Sequence, residues 1–231
     1  DVNQTLIRYS LIEGEQIDFE IRPFSSFRRI HKLRTAEEKI VVINESTNGI
    51  GYKLDDNYDE VFIQTSVDNT FSNKGDWFYN AEYLEELDRG YDFKEDLFSP
   101  GTLTLNLEKG TSVIVSLSTK DAEVENLNNL FENELASKNK LSNLDSYLER
   151  SAQQFFSKSN KGIEVCAGYH WFGRWGRDTF LSLPGLTIAR NQPEVCKQVL
   201  KTMLKDLKGG LLTNIGVGAA PVPMEGQFSG T

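Results

Sequence analysis

Residues 102–121 have the sequence TLTLNLEKGTSVIVSLSTKD, in which a short polar turn separates two apolar segments. Leucines occupy alternate positions from 103 to 107, and this period of two is typical of a strand that buries one face. Lys109-Gly110 then provides a turn before a second apolar segment over 111–118. The stretch therefore predicts two consecutive β-strands.

Strand patterns also fill the chain that precedes this stretch. Period-two or short apolar segments occur at 5–11, 16–22, 39–43, 49–54, 60–65 and 77–83. Turn-forming residues separate them, as in Glu13-Gly14-Glu15 and Ser99-Pro100-Gly101. Short strands at this regular spacing predict an antiparallel β-sandwich over residues 1–120.

After residue 120 the apolar period becomes helical. Val124, Leu127 and Phe131 lie three and four residues apart, and Asp121 is a candidate N-cap. We expect residues 121–142 to form a helical linker that ends in a polar connector. Further helices are predicted at 143–156, 178–190 and 193–208.

The composition restricts the classes of partner. The 231 residues include 25 Lys and Arg against 34 Asp and Glu, which gives a net charge of −9. Scattered basic residues in an acidic chain do not favour nucleic acid or an anionic membrane surface, because such partners need clustered cations. No apolar segment approaches the roughly 18 residues of a membrane span, and no signal peptide is evident. We predict a cytoplasmic protein.

The cysteines and histidines predict neither a disulfide framework nor a metal site. Cys166 and Cys196 lack the spacing of either, which is typical of a reducing compartment. His31 and His170 lie far apart and belong to no metal-binding motif. No glycine-rich phosphate loop is present, so we expect neither a metal nor an organic cofactor.

The densest group of chemically active residues lies at 167–180, directly before a predicted helix. It contains five large aromatic residues, two arginines and one aspartate among three glycines. Aromatic faces can stack on a pyranose ring, while Arg and Asp can bind its hydroxyls through charge-assisted hydrogen bonds. The group favours a sugar pocket. The pattern is equally consistent with aromatic core anchors and a buried Arg–Asp pair that holds a loop.

Residues 171–180, WFGRWGRDTF, followed by LSLPGL, closely resemble the signature that opens the glucosidase domain of prokaryotic-type glycogen debranching enzymes. Segments 6–9, 22–28 and 89–101 are similar to the end of that family's N-terminal β-domain. The resemblance covers roughly residues 4–216.

The resemblance implies a β-sandwich, a helical linker and, over residues 143–231, the first helices of an incomplete (α/α)6 toroid. The family hydrolyses single α-1,6-linked glucose stubs of glycogen or limit dextrin with inversion. By this resemblance Arg177 and Asp178 bind the O4 and O6 hydroxyls of the terminal glucose, and Trp171 or Trp175 forms a wall of the pocket. These residues would bind substrate and transfer no proton.

The resemblance assigns no catalytic residue within the chain. An inverting glycosidase needs a general acid and a general base about 6.5–9.5 Å apart, and the family's pair is expected beyond residue 231. The chain also begins without Met, at a strand pattern, so we expect it to be part of a longer protein. Alone it should be inactive. Its helices should expose apolar faces, and the chain should then self-associate.

The sequence departs from the family pattern in three places. His170 and Thr213 stand where the family usually has Pro, and both are tolerable changes in loops. The segment 217–231 differs from the family's continuation and has no functional interpretation.

Two other groups of residues are weaker candidates. One is an acidic and aromatic cluster: Tyr91, Asp92, Glu95 and Asp96. It could face the pocket, although such charges before a turn more often form a solvated face. Trp77, Tyr79 and Tyr83 alternate along a strand and are predicted to lie in the sandwich core.

The alternative to a glucosidase is a noncatalytic carbohydrate-binding or structural β-module with a helical extension. A helical region of several hundred residues that follows in the reading frame and carries two pocket carboxylates would favour the enzyme. A genuine stop at residue 231 would favour the module.

Overall fold

The computed structural model describes residues 3–29, 32–37, 41–139, 142–159, 161–168, 172–215 and 228–229. The chain divides into two compact units, which comprise residues 1–139 and 140–231. In the described ranges, no helix combines the length and apolar character needed to cross a membrane.

The first unit is built from antiparallel strands. They are β1 (Gln4–Ser10), β2 (Gln16–Ile21), β3 (Val42–Ser46), β4 (Gly49–Lys53), β5 (Val61–Thr65), β6 (Thr70–Ser72), β7 (Asp76–Glu82), β8 (Lys94–Ser99), β9 (Thr102–Glu108) and β10 (Ser112–Ser118). A short helix, α1 (Leu84–Asp88), separates β7 from β8. A 3-10 turn, Val124–Asn126, precedes helix α2 (Leu127–Asn139).

The strands of this unit form three sheets. One has the order β1-β10-β5-β4-β3, a second has the order β2-β9-β6, and β7 pairs with β8. All of these pairs are antiparallel. The turn at Lys109-Gly110 thus carries the chain from one sheet to another, since β9 pairs with β2 and β10 pairs with β1 and β5. The prediction of an antiparallel β-domain is confirmed.

The core of this unit contains side chains from different sheets. Ile50 and Ile63, from β4 and β5, cluster with Leu103 from β9 and Phe98 from β8. The leucines at 103, 105 and 107 are all buried, as their alternation predicts. Burial of a large aliphatic side chain contributes about 1.5–3 kcal/mol, so this shared core is the main stabilising feature of the unit.

The prediction that Asp121 is an N-cap is wrong. Its carboxylate accepts hydrogen bonds from Ser46 Oγ at 2.7 Å and from Gln64 Nε2 at 2.8 Å. The helical region starts later, with the 3-10 turn, because the side chain of Asp121 ties the chain to the sheet. Helix α2 packs on that sheet through Leu127 and Phe131.

A buried carboxylate ties β8 to the segment before β3, and the prediction of a solvated face is wrong for it. Glu95 is 1% exposed and accepts hydrogen bonds from Arg28 Nε at 2.5 Å and Nη2 at 3.0 Å. Tyr83 Oη and the backbone N–H of Arg34 donate at 2.6 and 3.1 Å. Burial alone raises the pKa of Glu95, but these hydrogen bonds bring its pKa below the ordinary value. In the same cluster, Asp92 is exposed.

The two remaining members of this cluster, Tyr91 and Asp96, contact residues of the first unit. Tyr91 is exposed and lies beside the Arg89 guanidinium. Asp96 accepts hydrogen bonds from the backbone N–H groups of Ala36 and Asn80, both at 2.8 Å. These bonds lower the pKa of Asp96. Asp96 therefore fixes loop backbone.

Strand β7 does not bury the whole aromatic stripe predicted for it. Trp77 packs edge to face on Phe98, with ring centroids 5.4 Å apart. Tyr79, in contrast, is 59% exposed. The register of the β7–β8 pair shifts between Phe78 and Ala81, and Asn80 has a φ of 56°. This irregularity breaks the alternation on which the core prediction rested.

The second unit combines helices with a small sheet. Its elements are α3 (Leu144–Gln154), β11 (Phe156–Ser159), β12 (Gly162–Gly168), β13 (Phe172–Arg174), α4 (Gly176–Leu183), a π-helical turn (Pro184–Ile188), α5 (Pro193–Leu204), β14 (Leu212–Thr213) and β15 (Phe228–Ser229). Strands β11, β12 and β13 form an antiparallel sheet. Val165 of β12 packs against Leu183 of α4, and Val199 and Met203 of α5 complete this core.

The helices predicted for this unit are present with other bounds: α3 and α5 are shorter than predicted, and α4 begins two residues before the predicted start at 178. Helix α3 begins with a capping box in which Asn143 and Ser146 exchange hydrogen bonds. It ends at Gln154, where the chain enters β11 rather than continuing to residue 156. No strand was predicted for the β11–β12–β13 sheet, although β12 has seven residues and Ile163 and Val165 alternate in it.

Candidate functional site

The aromatic and charged group lies where β13 leads into α4. Strand β13 ends at Arg174, Trp175 is extended, and α4 begins at Gly176. Arg177 and Asp178 therefore occupy the first turn of α4. Trp171 and His170 lie outside the described residues.

The segment around Asn214 holds the start of α4. The N–H of Gly176 donates to the backbone carbonyl of Asn214 at 2.6 Å, and Trp175 forms a bridge with Ile215. The side-chain Oδ1 of Asn214 accepts from the N–H of Arg177 at 3.0 Å. A Cβ atom at residue 176 would lie 2.9 Å from the carbonyl oxygen of Thr213, so this close approach requires glycine.

Asn214 is a positioning residue that sequence reasoning missed. It satisfies backbone N–H groups that a helix start otherwise leaves without partners. The chain after residue 211 carries no strong pattern, and only the Asn-Ile-Gly segment that follows Thr213 could have drawn attention to it.

Arg174 is a structural residue. It is 5% exposed on its side chain, donates to Glu164 Oε1 at 3.3 Å and pairs with Asp206. Lys161 Nζ lies 3.0 Å from the same Asp206 carboxylate. Burial raises the pKa of Asp206, but the hydrogen bonds from Arg174 and Lys161 lower it overall. The sequence left open a buried Arg–Asp pair that holds a loop, and Arg174 forms such a pair with Asp206.

Arg177 and Asp178 have different environments from Arg174. Arg177 is exposed, and within the described part of the chain its guanidinium makes no ion pair or hydrogen bond. The Oδ2 atom of Asp178 is buried and has no hydrogen-bond partner among the described residues. A buried polar group without a partner costs about 1–3 kcal/mol, and more when it is charged.

The position of Asp178 offsets part of this cost. The first turn of a helix favours a negative charge by about 0.3–1 kcal/mol, because the backbone dipoles point their positive ends there. The site thus presents an acceptor oxygen and, on the preceding residue, a donor group. A ligand with adjacent hydroxyls could hydrogen-bond to both.

Trp175 is half-buried and is separated from these two residues by Gly176. Its carbonyl accepts hydrogen bonds from the N–H and the Oγ1 of Thr179, at 2.9 and 2.7 Å. These bonds fix the backbone of Trp175 against α4. The indole is therefore attached to the same rigid element as Arg177 and Asp178.

Over the residues that the structure describes, no three His, Cys, Asp or Glu side chains form a group that could hold a metal ion. Both cysteines are free thiols.

Comparison with protein families connects both units to one family. The model for the glycogen debranching enzyme N-terminal region matches residues 1–114. The model for amylo-alpha-1,6-glucosidase matches residues 144–222, which include β13, α4 and Asn214. Comparisons with curated proteins and with solved structures gave no match. The two family matches cover most of the sequence in the order expected, and the chain belongs to the glycogen debranching enzyme family.

Proposed function

We propose that the chain is the β-domain and the beginning of the catalytic domain of a cytoplasmic enzyme that removes α-1,6-linked glucose stubs from glycogen or limit dextrin. The observation that carries this proposal is the buried Oδ2 of Asp178, which has no hydrogen-bond partner among the described residues. In the same ranges the guanidinium of the preceding residue, Arg177, makes no ion pair or hydrogen bond. Membership of the debranching family supports an α-glucan as the substrate.

In this proposal the four residues singled out from the sequence bind the terminal glucose. Asp178 accepts hydrogen bonds from its hydroxyls, and Arg177 donates to them, at O4 and O6. Trp171 or Trp175 covers the apolar face of the ring. Charge-assisted bonds of this kind are about twice as strong as neutral ones, so the pair would supply much of the selectivity for a non-reducing end.

The chemical step is hydrolysis with inversion and needs no metal or organic cofactor. A carboxylic acid protonates the glycosidic oxygen, and a carboxylate activates a water molecule on the opposite face of the sugar. We assign neither role to residues 1–231. In this proposal residues 1–120 are a β-sandwich, 121–142 a linker and 143–231 the first part of an (α/α)6 toroid. The acid and the base belong to other parts of that toroid.

Substitution of Asp178 by Asn tests this assignment. In a polypeptide that carries this chain within a complete glucosidase domain, D178N should lower kcat/KM about ten- to a hundredfold. The reason is the loss of one partner of a charged hydrogen bond, which costs on the order of 1.5–3 kcal/mol. The melting temperature should change little, because Asp178 Oδ2 has no hydrogen-bond partner among the described residues.

The matched control is Asp145→Asn. Asp145 also lies in the first turn of a helix, α3, but is exposed. Its substitution should leave both kcat/KM and the melting temperature nearly unchanged. A loss of about 3–5 kcal/mol of folding stability in D178N with normal kinetics would instead identify Asp178 as a structural carboxylate and remove it from the sugar site.

The second unit exposes large apolar side chains, as expected if further toroid helices cover them. Leu144 and Leu148 of α3 are 71% and 57% exposed, and Leu181 of α4 is 77% exposed. We expect the 231-residue chain to self-associate through these faces, because contiguous apolar patches above a few hundred Å² are rare on monomers.

Sedimentation velocity over a range of concentrations measures this association. The double variant Leu144→Ser/Leu148→Ser should shift the chain toward the monomer. Leu84→Ser, which changes a leucine of similar exposure in the first unit, should not. A wild-type chain that stays monomeric at all concentrations would contradict the expectation.

A further inference from the structure

A groove in the first unit lies between helix α2 and the ends of β1 and β10. Its volume is about 440 Å³, within the range of about 300–1,000 Å³ common for small-molecule sites. A neighbouring hollow of about 350 Å³ shares Asp121, Ala122 and Glu123 with it as lining residues. The two hollows therefore lie next to each other.

The helical side of this groove is rich in carboxamides. Asn126, Asn129 and Asn133 all line it, at the three- and four-residue spacing that places side chains on one face. The side-chain amides of Asn129 and Asn133 make no hydrogen bond within the described part of the chain. Asn is a poor residue for a helix interior, so their presence is not explained by the stability of α2.

The groove also has an apolar surface between these amides. Leu130 lies on the same face and is 41% exposed. On the strand side, Gln4 donates to Ser116 Oγ at 3.0 Å and is thereby held against the sheet. The lining therefore alternates amide groups with aliphatic carbon.

This chemistry matches a neutral polyhydroxylated chain. A carboxamide presents a donor and an acceptor side by side, which can pair with neighbouring hydroxyls of a sugar. The aliphatic surface can contact the C–H face of the ring. The charged residues of the groove disfavour an anion, because two carboxylates, Asp121 and Glu123, outnumber Lys120. Both carboxylates already accept hydrogen bonds from side chains of the protein.

We infer that this groove is a second glucan-binding site, which holds internal α-1,4-linked glucose residues of the substrate. The inference rests on the proposed function for the class of ligand. It differs from the terminal-glucose site in its residues and in what it recognises, since an internal segment of glucan has no non-reducing end to offer.

Cycloheptaamylose, a cyclic α-1,4-glucan without a non-reducing end, separates the two sites. Isothermal titration of the 231-residue chain with it should show binding. The double variant Asn129→Ala/Asn133→Ala should weaken the Kd about tenfold through the loss of two hydrogen-bonding amides. Alanine favours the helix, so the variant should fold, and its melting temperature checks this.

The control is Asn128→Ala, which changes the same residue type on the same helix outside the groove. It should bind cycloheptaamylose as the wild type does, and so should D178N. Absence of binding by the wild type, or equal binding by the double variant, would overturn the inference. A failure of the proposed function would instead appear as no hydrolysis of α-1,6 stubs by the wild-type polypeptide with the complete domain, whatever the cyclic glucan does. Normal hydrolysis by D178N would contradict only the assignment of Asp178.

Discussion

The 231-residue chain by itself should release no glucose from a limit dextrin. A polypeptide that carries it within a complete glucosidase domain should do so. A general acid and a general base each typically raise the rate about 10²–10⁴-fold. The rate of hydrolysis by a chain that lacks both should therefore be lower by about 10⁴-fold or more.

The carboxylates of the second unit give a physical reason for this expectation. The pKa of Glu149 lies below its ordinary value because Arg190 donates hydrogen bonds to it. Burial raises the pKa of Asp206, but the hydrogen bonds from Arg174 and Lys161 lower it overall. Both groups are anions at neutral pH, whereas a general acid in a glycosidase needs a raised pKa.

Enzymatic assay of glucose release measures this directly. The purified chain and the polypeptide with the complete domain should be compared on the same limit dextrin at equal molar concentration. Turnover by the chain alone, retained through a further purification step, would place an acid and a base within residues 1–231 and contradict the assignment.

The second large effect concerns stability. Glu95→Gln should cost about 3–5 kcal/mol of unfolding free energy, because it removes the charge that the buried network of Arg28 and Tyr83 satisfies. The smaller change Tyr83→Phe removes one hydrogen bond to the carboxylate and should cost about 1.5–3 kcal/mol.

The effect of Glu95 should depend on pH. Its pKa is lowered in the folded state, so its contribution is present above the unfolded pKa of about 4.3 and is lost as the pH falls through the folded pKa. The stability difference between the wild type and Glu95→Gln should therefore shrink in acid.

Urea unfolding of the chain at pH 7 and at acid pH measures both effects. Asp92→Asn, an exposed carboxylate of the same acidic cluster, is the control and should change stability by less than about 0.5 kcal/mol. Equal stability of Glu95→Gln and the wild type at pH 7 would show that the network contributes nothing.

The parts of the fold that could be predicted from sequence are those governed by local periodicity. Strand β9 was predicted because its leucines alternate, and they are buried as expected. Strand β8 was missed because its sequence, KEDLFS, begins with charges. Glu95 is buried only because Arg28, 67 positions earlier, reaches it, and no local pattern contains that contact.

In the candidate site, too, the sequence predicts the local features but not the contacts between distant residues. The signature at 171–180 placed Arg177 and Asp178 at a helix start, and the structure has them in the first turn of α4. It could not show that Arg174 takes the structural pairing, which depends on Asp206, 32 positions later. Nor could it identify Asn214, whose hydrogen bond to the Arg177 N–H spans 37 positions.

The proposed hydrogen bond between Asp178 and a hydroxyl of the terminal glucose is tested by a double-mutant cycle. One change is made in the enzyme and the other in the substrate. In the polypeptide with the complete domain, kcat/KM is measured for wild type and D178N on α-1,6-glucosyl substrates with and without the O4 or O6 hydroxyl. We expect removal of the hydroxyl bound by Asp178 to lower kcat/KM of the wild type. The same removal should lower kcat/KM of D178N little further, because the variant has already lost that interaction. The contrary result is that removal of O4 and removal of O6 each lower kcat/KM of D178N by the same factor as kcat/KM of the wild type. Asp178 would then bind neither hydroxyl.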